Sequence, residues 1–492
     1  MNSFNLADVF VALGRHHLDR PALISGSRQL TFAELVAASS QAAHALAARG
    51  IGPNQNVGLA LRDGMDVVVY LLALWMIDAI GVVIDFRSPQ GDRATLADEF
   101  DLVAIVGDTA PLGAPYAAIG IGGEWRETVA RQSTMPPGSR REGNGIALIS
   151  MTSGTTGRPL GLLVRHEDTF RRLAHTASFY AGGTGKHLNL LPFHFSAGRG
   201  TVISKLVSGW TVHLYPPLFS TEELVTDIVR IAPDSLMMVP TMLRSVIQYA
   251  EERGTAAPLF PSLKQFPCAG SMTLPQEKRA ALRLLSPVYS ERYATSPSGG
   301  IAVLKSEDVE AHADTVGRLG PYVRCEIVDE NDNPLPFGSP GHIRVRTPTM
   351  VAGTYKDRTR PNGDRLKDGW VYPGDLGVLR ADGFLSIVGR SAETIIRGGG
   401  NVHPSEIESV IINHPAVREV YAVGYAHDRE GEEIGAVVVT KGDVTENELV
   451  AFSRAHLPPD KRPRRFLILD AAPLTSVGKA DKKAMQKLFD SQ

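Results

Sequence analysis

The chain is poor in several things, and each shortage excludes a class of protein. It has only two cysteines, Cys268 and Cys325, in 492 residues. They stand far apart and lack ligand-like neighbours. A disulfide framework and a cysteine zinc site are therefore excluded, and a reducing cytoplasm is the default compartment. Charge of either sign is also not in excess. The formal net charge is −2, so nothing in the balance calls for nucleic acid or an anionic membrane. Long apolar runs are missing as well. The most apolar stretch, Val67 to Ile77, lies between Asp66 and Asp78 and falls far short of the ~20 residues that span a bilayer. It reads as a buried helix. Met1 to Arg20 lacks a basic start, an apolar core and a cleavage site, so no signal peptide is expected. No metal-ligand spacing and no Ser-His-Asp arrangement is visible.

What is present is the balance of a large globular enzyme, with 43% hydrophobic and 21% charged residues. The length calls for more than one domain. Apolar bursts alternate with helical patterns through about residue 390. Val82-Val83-Ile84 and Ile146 to Ser150 read as buried strands. Leu224, Val225, Ile228 and Ile231 fall at helical spacing before a strand at Ser235–Val239. This alternation predicts α/β layers. Cys325 to Val328 and Gly341 to Arg346 alternate apolar and polar around the turn Asn331 to Pro334, which predicts a small antiparallel, barrel-like β unit. After Gly389-Arg390 the pattern restarts, with a helix near Pro404 and strands near Val420–Val423 and Ala436–Thr440. The expected division is 1–390 and a small, mobile α+β domain at 391–492.

The chemistry concentrates in Thr152-Ser153-Gly154-Thr155-Thr156-Gly157-Arg158-Pro159, which follows a strand. Glycines and hydroxyls packed this closely can wrap N–H and O–H groups around phosphate oxygens. By itself a polar surface turn is as good a reading, and the spacing is not that of the G-x-x-x-x-G-K-[ST] loop. The run resembles the signature loop of the adenylate-forming superfamily, which includes acyl-CoA synthetases, peptide-synthetase adenylation domains and firefly-type luciferases. Further segments follow in that family's order. They are Leu191-Pro192-Phe193-His194, Ala269-Gly270-Ser271, Tyr293-Ala294-Thr295-Ser296, Trp370 to Asp375, Gly389-Arg390 and Gly478-Lys479.

The resemblance implies a role for each. His194 lines the acyl pocket, against the plain reading of a buried structural histidine. Gly270 and Ser271 contact the nucleotide, together with Ala294 and Ser296. Tyr293 stacks on adenine. Asp375 and Arg390 hold the ribose, and Ser153, Gly154, Thr155, Thr156 and Gly157 cradle phosphate. Lys479 touches the reacting carboxylate and the α-phosphate. Gly398-Gly399-Gly400 offers a strand edge free of side chains for a pantetheine arm. Arg464 and Arg465, in the basic run from Lys461, either meet CoA phosphates or form a solvated surface.

The family forms an acyl adenylate from a carboxylic acid and ATP, and then passes the acyl group to CoA. The sequence departs from the family where the first step needs charge. Leu160 stands in place of a phosphate-facing lysine, Pro297 in place of a Mg²⁺-binding glutamate, and Ala392 in place of a polar hinge residue. Arg158 is available as a substitute cation. The implied partners are a small carboxylic acid or its adenylate and CoA, with the AMP moiety bound. ATP and Mg²⁺ stay open, as does a partner enzyme that supplies the adenylate. Such separated adenylating and thioesterifying ligases occur in diterpenoid-antibiotic pathways of the platensimycin type. An ordinary two-step ligase, a carrier-protein-loading enzyme and an adenylate-binding non-enzyme are the competing expectations.

Overall fold

A computed structural model describes residues 4–110, 114–138, 143–152, 160–177, 183–216, 218–357, 366–398, 400–427, 431–474 and 480–490. Its centre is the helix Gly64–Met76, which is apolar on every side. Asp63 caps it by accepting a hydrogen bond from the Met65 N–H, and each residue from Met65 to Met76 is buried. A helix with no polar face must be covered all round. Here one cover is a seven-stranded sheet ordered Gly353–Thr354, Leu160–Arg165, Ile146–Thr152, Ile80–Val83, Asn56–Ala60, Leu102–Gly107, Ala118–Gly120. Another is a five-stranded sheet that includes Pro21–Ser25 and Thr211–Leu214, whose Leu23, Val212 and Leu214 share one apolar cluster with the helix. Each Val or Leu buried there contributes about 1.5–3 kcal/mol. The close fit shows at Gly81, where a Cβ would come within 2.5 Å of Leu71.

A four-stranded sheet carries Phe266–Ala269 parallel to Tyr289–Thr295. A six-stranded antiparallel sheet spans Arg324 to Arg390. In it Arg324–Val328 and Gly341–Arg346 pair as expected, with Ile327 opposite Ile343. The remaining sheet draws its strands only from Ile395–Arg397, Gly400–Val402, Val417–His427, Gly431–Thr440 and Arg465–Leu469. These lie on a separate apolar cluster with the helix Pro404–Ile411.

The expected strand at Ser235–Val239 is shorter. It covers Ser235–Leu236, and Met238 makes only an isolated bridge to Cys268. Pro240 opens the next helix, and its ring holds Val239 extended while starting the turn. Among the described residues no helix is long and apolar enough to cross a membrane.

His187 sits wholly inside this frame, with Nδ1 3.2 Å from the Ser235 hydroxyl. Burial, aided by Lys205, pushes its imidazole down to about 3. An unfolded histidine titrates near ~6.5. Between those values the unfolded chain holds a proton that the folded chain does not. Stability from this residue is therefore complete above about pH 6.5 and declines by about 1.4 kcal/mol per unit as pH falls below it. Urea unfolding at pH 7 and 5.5 should show a larger loss in the wild type than in His187→Asn, by about 1 kcal/mol. Equal losses would contradict the buried neutral imidazole.

Candidate active site

The parallel pairing of Ala269 with Arg292 brings Gly270, Ser271, Tyr293 and Ala294 to one end of the four-stranded sheet. Ligands in layered α/β proteins bind at such carboxyl ends. Gly270 has φ +112°, a conformation that favours glycine, and Ser271 is exposed beside it. Asp375 and Arg390 come from the six-stranded sheet, where they face each other across antiparallel strands. The Tyr293 hydroxyl donates to Asp375 Oδ2 at 2.6 Å, and Arg390 Nε lies 3.2 Å from Oδ1. Asp375 is only 5% exposed, whereas the Arg390 side chain is largely open. Burial first, and then the Asp375 charge, hold the Tyr293 hydroxyl well above its ordinary range, so it remains a donor. The resemblance implied a ring that stacks on adenine. The structure adds that the hydroxyl of Tyr293 anchors the buried Asp375 carboxylate.

The turn after Tyr293 is pinned on both sides. Ser296 Oγ is 3.0 Å from Ser196 Oγ, and the Ser296 carbonyl accepts from Arg172 Nη2 at 2.8 Å. Pro297 is buried, and its carbonyl accepts the Val351 N–H at 2.9 Å. The Ser298 carbonyl accepts from the hydroxyls of Thr347 and Thr349. A proline side chain has no donor atom for a metal, and the backbone oxygen of this one accepts the Val351 N–H. Among the described residues no group of three or more His, Cys, Asp or Glu is placed to hold a metal ion. The residues present do not fit Mg²⁺ at this position, and no step below is routed through one.

On the acyl side, His194 packs against Phe195 with ring centroids 4.3 Å apart. Its Nε2 is buried, has no hydrogen-bond partner among the described residues and lies 3.8 Å from Asp85 Oδ2. Asp85 is held by Arg87 at 2.7 Å. Burial pushes the His194 imidazole down although Asp85 opposes it, so the ring is neutral. A buried polar atom without a partner is costly, and a bound acyl group that supplies one relieves it.

Leu160 opens a strand opposite Thr152 and packs on the central apolar cluster. Ala392 lies in the short 3₁₀ turn Ser391–Glu393, whose Ser391 N–H donates to the Gly374 carbonyl at 3.0 Å. Gly398 has φ +56° in the turn between Ile395–Arg397 and Gly400–Val402, so it serves a hairpin; Gly400 begins the edge strand. The basic run is partly structural. Arg464 shares the fully buried Glu433 with Arg397, Lys461 pairs with Glu406 at 2.7 Å, and Arg465 lies over Phe489. Ser153, Gly154, Thr155, Thr156, Gly157 and Arg158 lie outside the described residues, as do Gly399 and Lys479. Sequence reasoning missed Arg172 and Arg199. Nothing in their helical spacing distinguishes them from surface arginines.

The layered large unit and the separate small sheet are the architecture of an adenylate-forming enzyme. The chain belongs to the AMP-binding enzyme family, which matches residues 10–355, and the AMP-binding enzyme C-terminal domain matches residues 406–479. A 2-succinylbenzoate–CoA ligase of Bacillus mycoides (strain KBAB4) is 26% identical over 494 residues, 96% of each chain. The amide bond synthetase McbA from Marinactinospora thermotolerans superposes with a TM-score of 0.85 at 25% identity, covering 98% of this chain and 99% of that one. The o-succinylbenzoate CoA synthetase MenE from Bacillus subtilis, in complex with its acyl-adenylate intermediate, gives 0.86 at 21% identity over 99% of each chain, a likeness of fold.

Tyr293→Phe separates the two roles of that residue. Loss of a hydrogen bond to a carboxylate costs about 1.5–3 kcal/mol, so AMP binding by calorimetry should weaken by about tenfold or more. Unchanged affinity would mean that the ring alone matters.

Proposed function

We propose that this chain is an acid–thiol ligase that converts an acyl adenylate and CoA to acyl-CoA and AMP, with ATP-dependent adenylation weak or lost. The observation that carries the reading is the contrast between its two halves. The groups that hold an adenylate already made, Tyr293, Asp375 and Arg390, meet in one corner. The two positions that would serve the attack on ATP carry Leu160, packed on the core, and Pro297, buried with its carbonyl engaged. Removal of one preorganised charge-stabilising group costs about 10²–10³ in rate.

In the retained step the CoA thiol loses its proton as sulfur attacks the adenylate carbonyl. The tetrahedral centre then collapses and expels AMP. The leaving group is already good, so positioning is the main requirement. Residues 1–390 hold the adenylate, residues 391–492 move about the Ser391–Glu393 turn to admit CoA, and His194 borders the acyl group. A partner enzyme supplies the adenylate. The curated relatives named as CoA ligases support CoA as the acceptor. An ordinary two-step ligase is the second reading, favoured by the presence of Lys479 in the sequence.

One preparation decides between them. A panel of synthetic acyl adenylates is offered with CoA, and the matching acids are offered with ATP, Mg²⁺ and CoA. The expected result is acyl-CoA from the adenylates only. Equal product from the free acids sinks the proposal. The double variant Leu160→Lys with Pro297→Glu should raise acid-dependent pyrophosphate exchange by at least about tenfold, against the 10²–10³ expected for one such group.

A further inference from the structure

Two arginines, Arg199 buried and Arg172 partly buried, hydrogen-bond into the frame beside Ser150 and Ser296. Arg199, on the helix Ser196–Val207, is 4% exposed. Its Nη1 donates to the Phe193 carbonyl at 2.9 Å and its Nη2 to the Ser150 hydroxyl at 2.8 Å. Arg172, on the helix His166–Ala177, donates through Nε to the Thr349 carbonyl at 3.1 Å and through Nη2 to the Ser296 carbonyl at 2.8 Å. All four acceptors are neutral. Arg292 stands behind them, with Nη2 donating to the Thr176 hydroxyl at 3.2 Å and a buried Nε that has no partner among the described residues. Among the described residues none of the three arginines has a carboxylate within ion-pair distance. The acid that acts on Arg172 is Asp168, which itself receives the Arg165 N–H and lies 3.7 Å from Arg171.

The arginines also oppose one another. Arg172 acts on Arg199 and Arg292 acts on Arg172, and burial lowers both Arg172 and Arg199 to about 10, still charged at neutral pH. Uncompensated buried charge of this kind is expensive. An anion that arrives between the helices offsets the cost.

The acceptors show which anion. Ser150 is on the strand Ile146–Thr152, just before the run of glycines and hydroxyls. Ser296 precedes Pro297, and Phe193 precedes His194. The two guanidinium groups therefore lie between the phosphate-loop strand, the position that lacks a metal ligand and the acyl side. We infer that Arg172 and Arg199 form a metal-independent cationic site for the phosphate of an adenylate already made, without restoring the groups that the attack on ATP would need at Leu160 and Pro297. This rests on the reading of the chain as an adenylate-binding ligase. It explains how an AMP ester is held without Mg²⁺, and it adds no chemical step.

The test compares AMP with adenosine by calorimetry on the full chain in EDTA. The expected result is AMP at least about tenfold tighter, a difference of ~1.4 kcal/mol, with that ratio changed less than about twofold by Mg²⁺. Arg172→Met and Arg199→Met should bring the ratio close to one, and Arg199→Lys should keep part of it. A wild-type ratio near one in EDTA overturns the inference without any variant, which covers the case of a variant that fails to fold. So does an unchanged ratio in variants shown folded by circular dichroism. The other oxyanion source is a second carboxylate on the acyl group. Variants that lose affinity for dicarboxylic over monocarboxylic acids while their AMP ratio stays intact assign the arginines to the acyl side and overturn the phosphate site. Thioester formation from supplied adenylates scores the parent reading separately. If that fails while the AMP ratio holds, the ligase assignment falls and the cationic site stands.

Discussion

The buried carboxylate of Asp375 is the constraint on which the site depends. A carboxylate this far from water must be filled with hydrogen bonds, and it takes them from two different sheets. Tyr293 arrives from the four-stranded sheet, and Arg390 from the neighbouring strand of the six-stranded one. The same strand pair runs directly into the turn Ser391–Glu393, where Ser391 bonds back to Gly374. The Asp375 corner and the start of the small sheet are thus mechanically joined. A shift in either sheet register would unpair the carboxylate.

The electrostatics of the site are built from the inside. Where the resemblance implies a lysine and a metal ligand, this chain has a partly buried leucine and a buried proline. Positive charge is instead concentrated in arginines that hydrogen-bond to carbonyls and hydroxyls of the surrounding frame. Guanidinium suits this arrangement because its planar fork can satisfy several neutral acceptors and keep its charge when buried. His194 is a different kind of group, an imidazole that burial pushes down and whose Nε2 has no hydrogen-bond partner among the described residues.

Much of the fold was legible because its signals are local. The helix Gly64–Met76 announces itself by an apolar run between aspartates, and the hairpin through Ile327 and Ile343 by alternation around Asn331 to Pro334. The strand before Pro240 was overestimated, since apolar composition does not show where a proline ring will start a helix. Gly398 was read as strand edge, but its positive φ makes it a hairpin turn. Half of the basic run near Lys461 ion-pairs with Glu433 and Glu406, partners remote in sequence.

By itself, the sequence determined the layers, the order of the motifs and the chemical identity of each departure. A side chain's donors and the period of an apolar pattern are properties of the residue and its near neighbours. Only the tertiary structure decided that Tyr293 anchors Asp375, that the Pro297 carbonyl accepts the Val351 N–H, and that Arg172 and Arg199 donate to neutral groups with no carboxylate at ion-pair distance among the described residues. Each of those facts depends on segments brought together across 82, 54 or more than a hundred positions of chain, as between Tyr293 and Asp375, Pro297 and Val351, and Arg172 and Ser296. Burial and partnership are properties of the packed whole, and no local pattern encodes them.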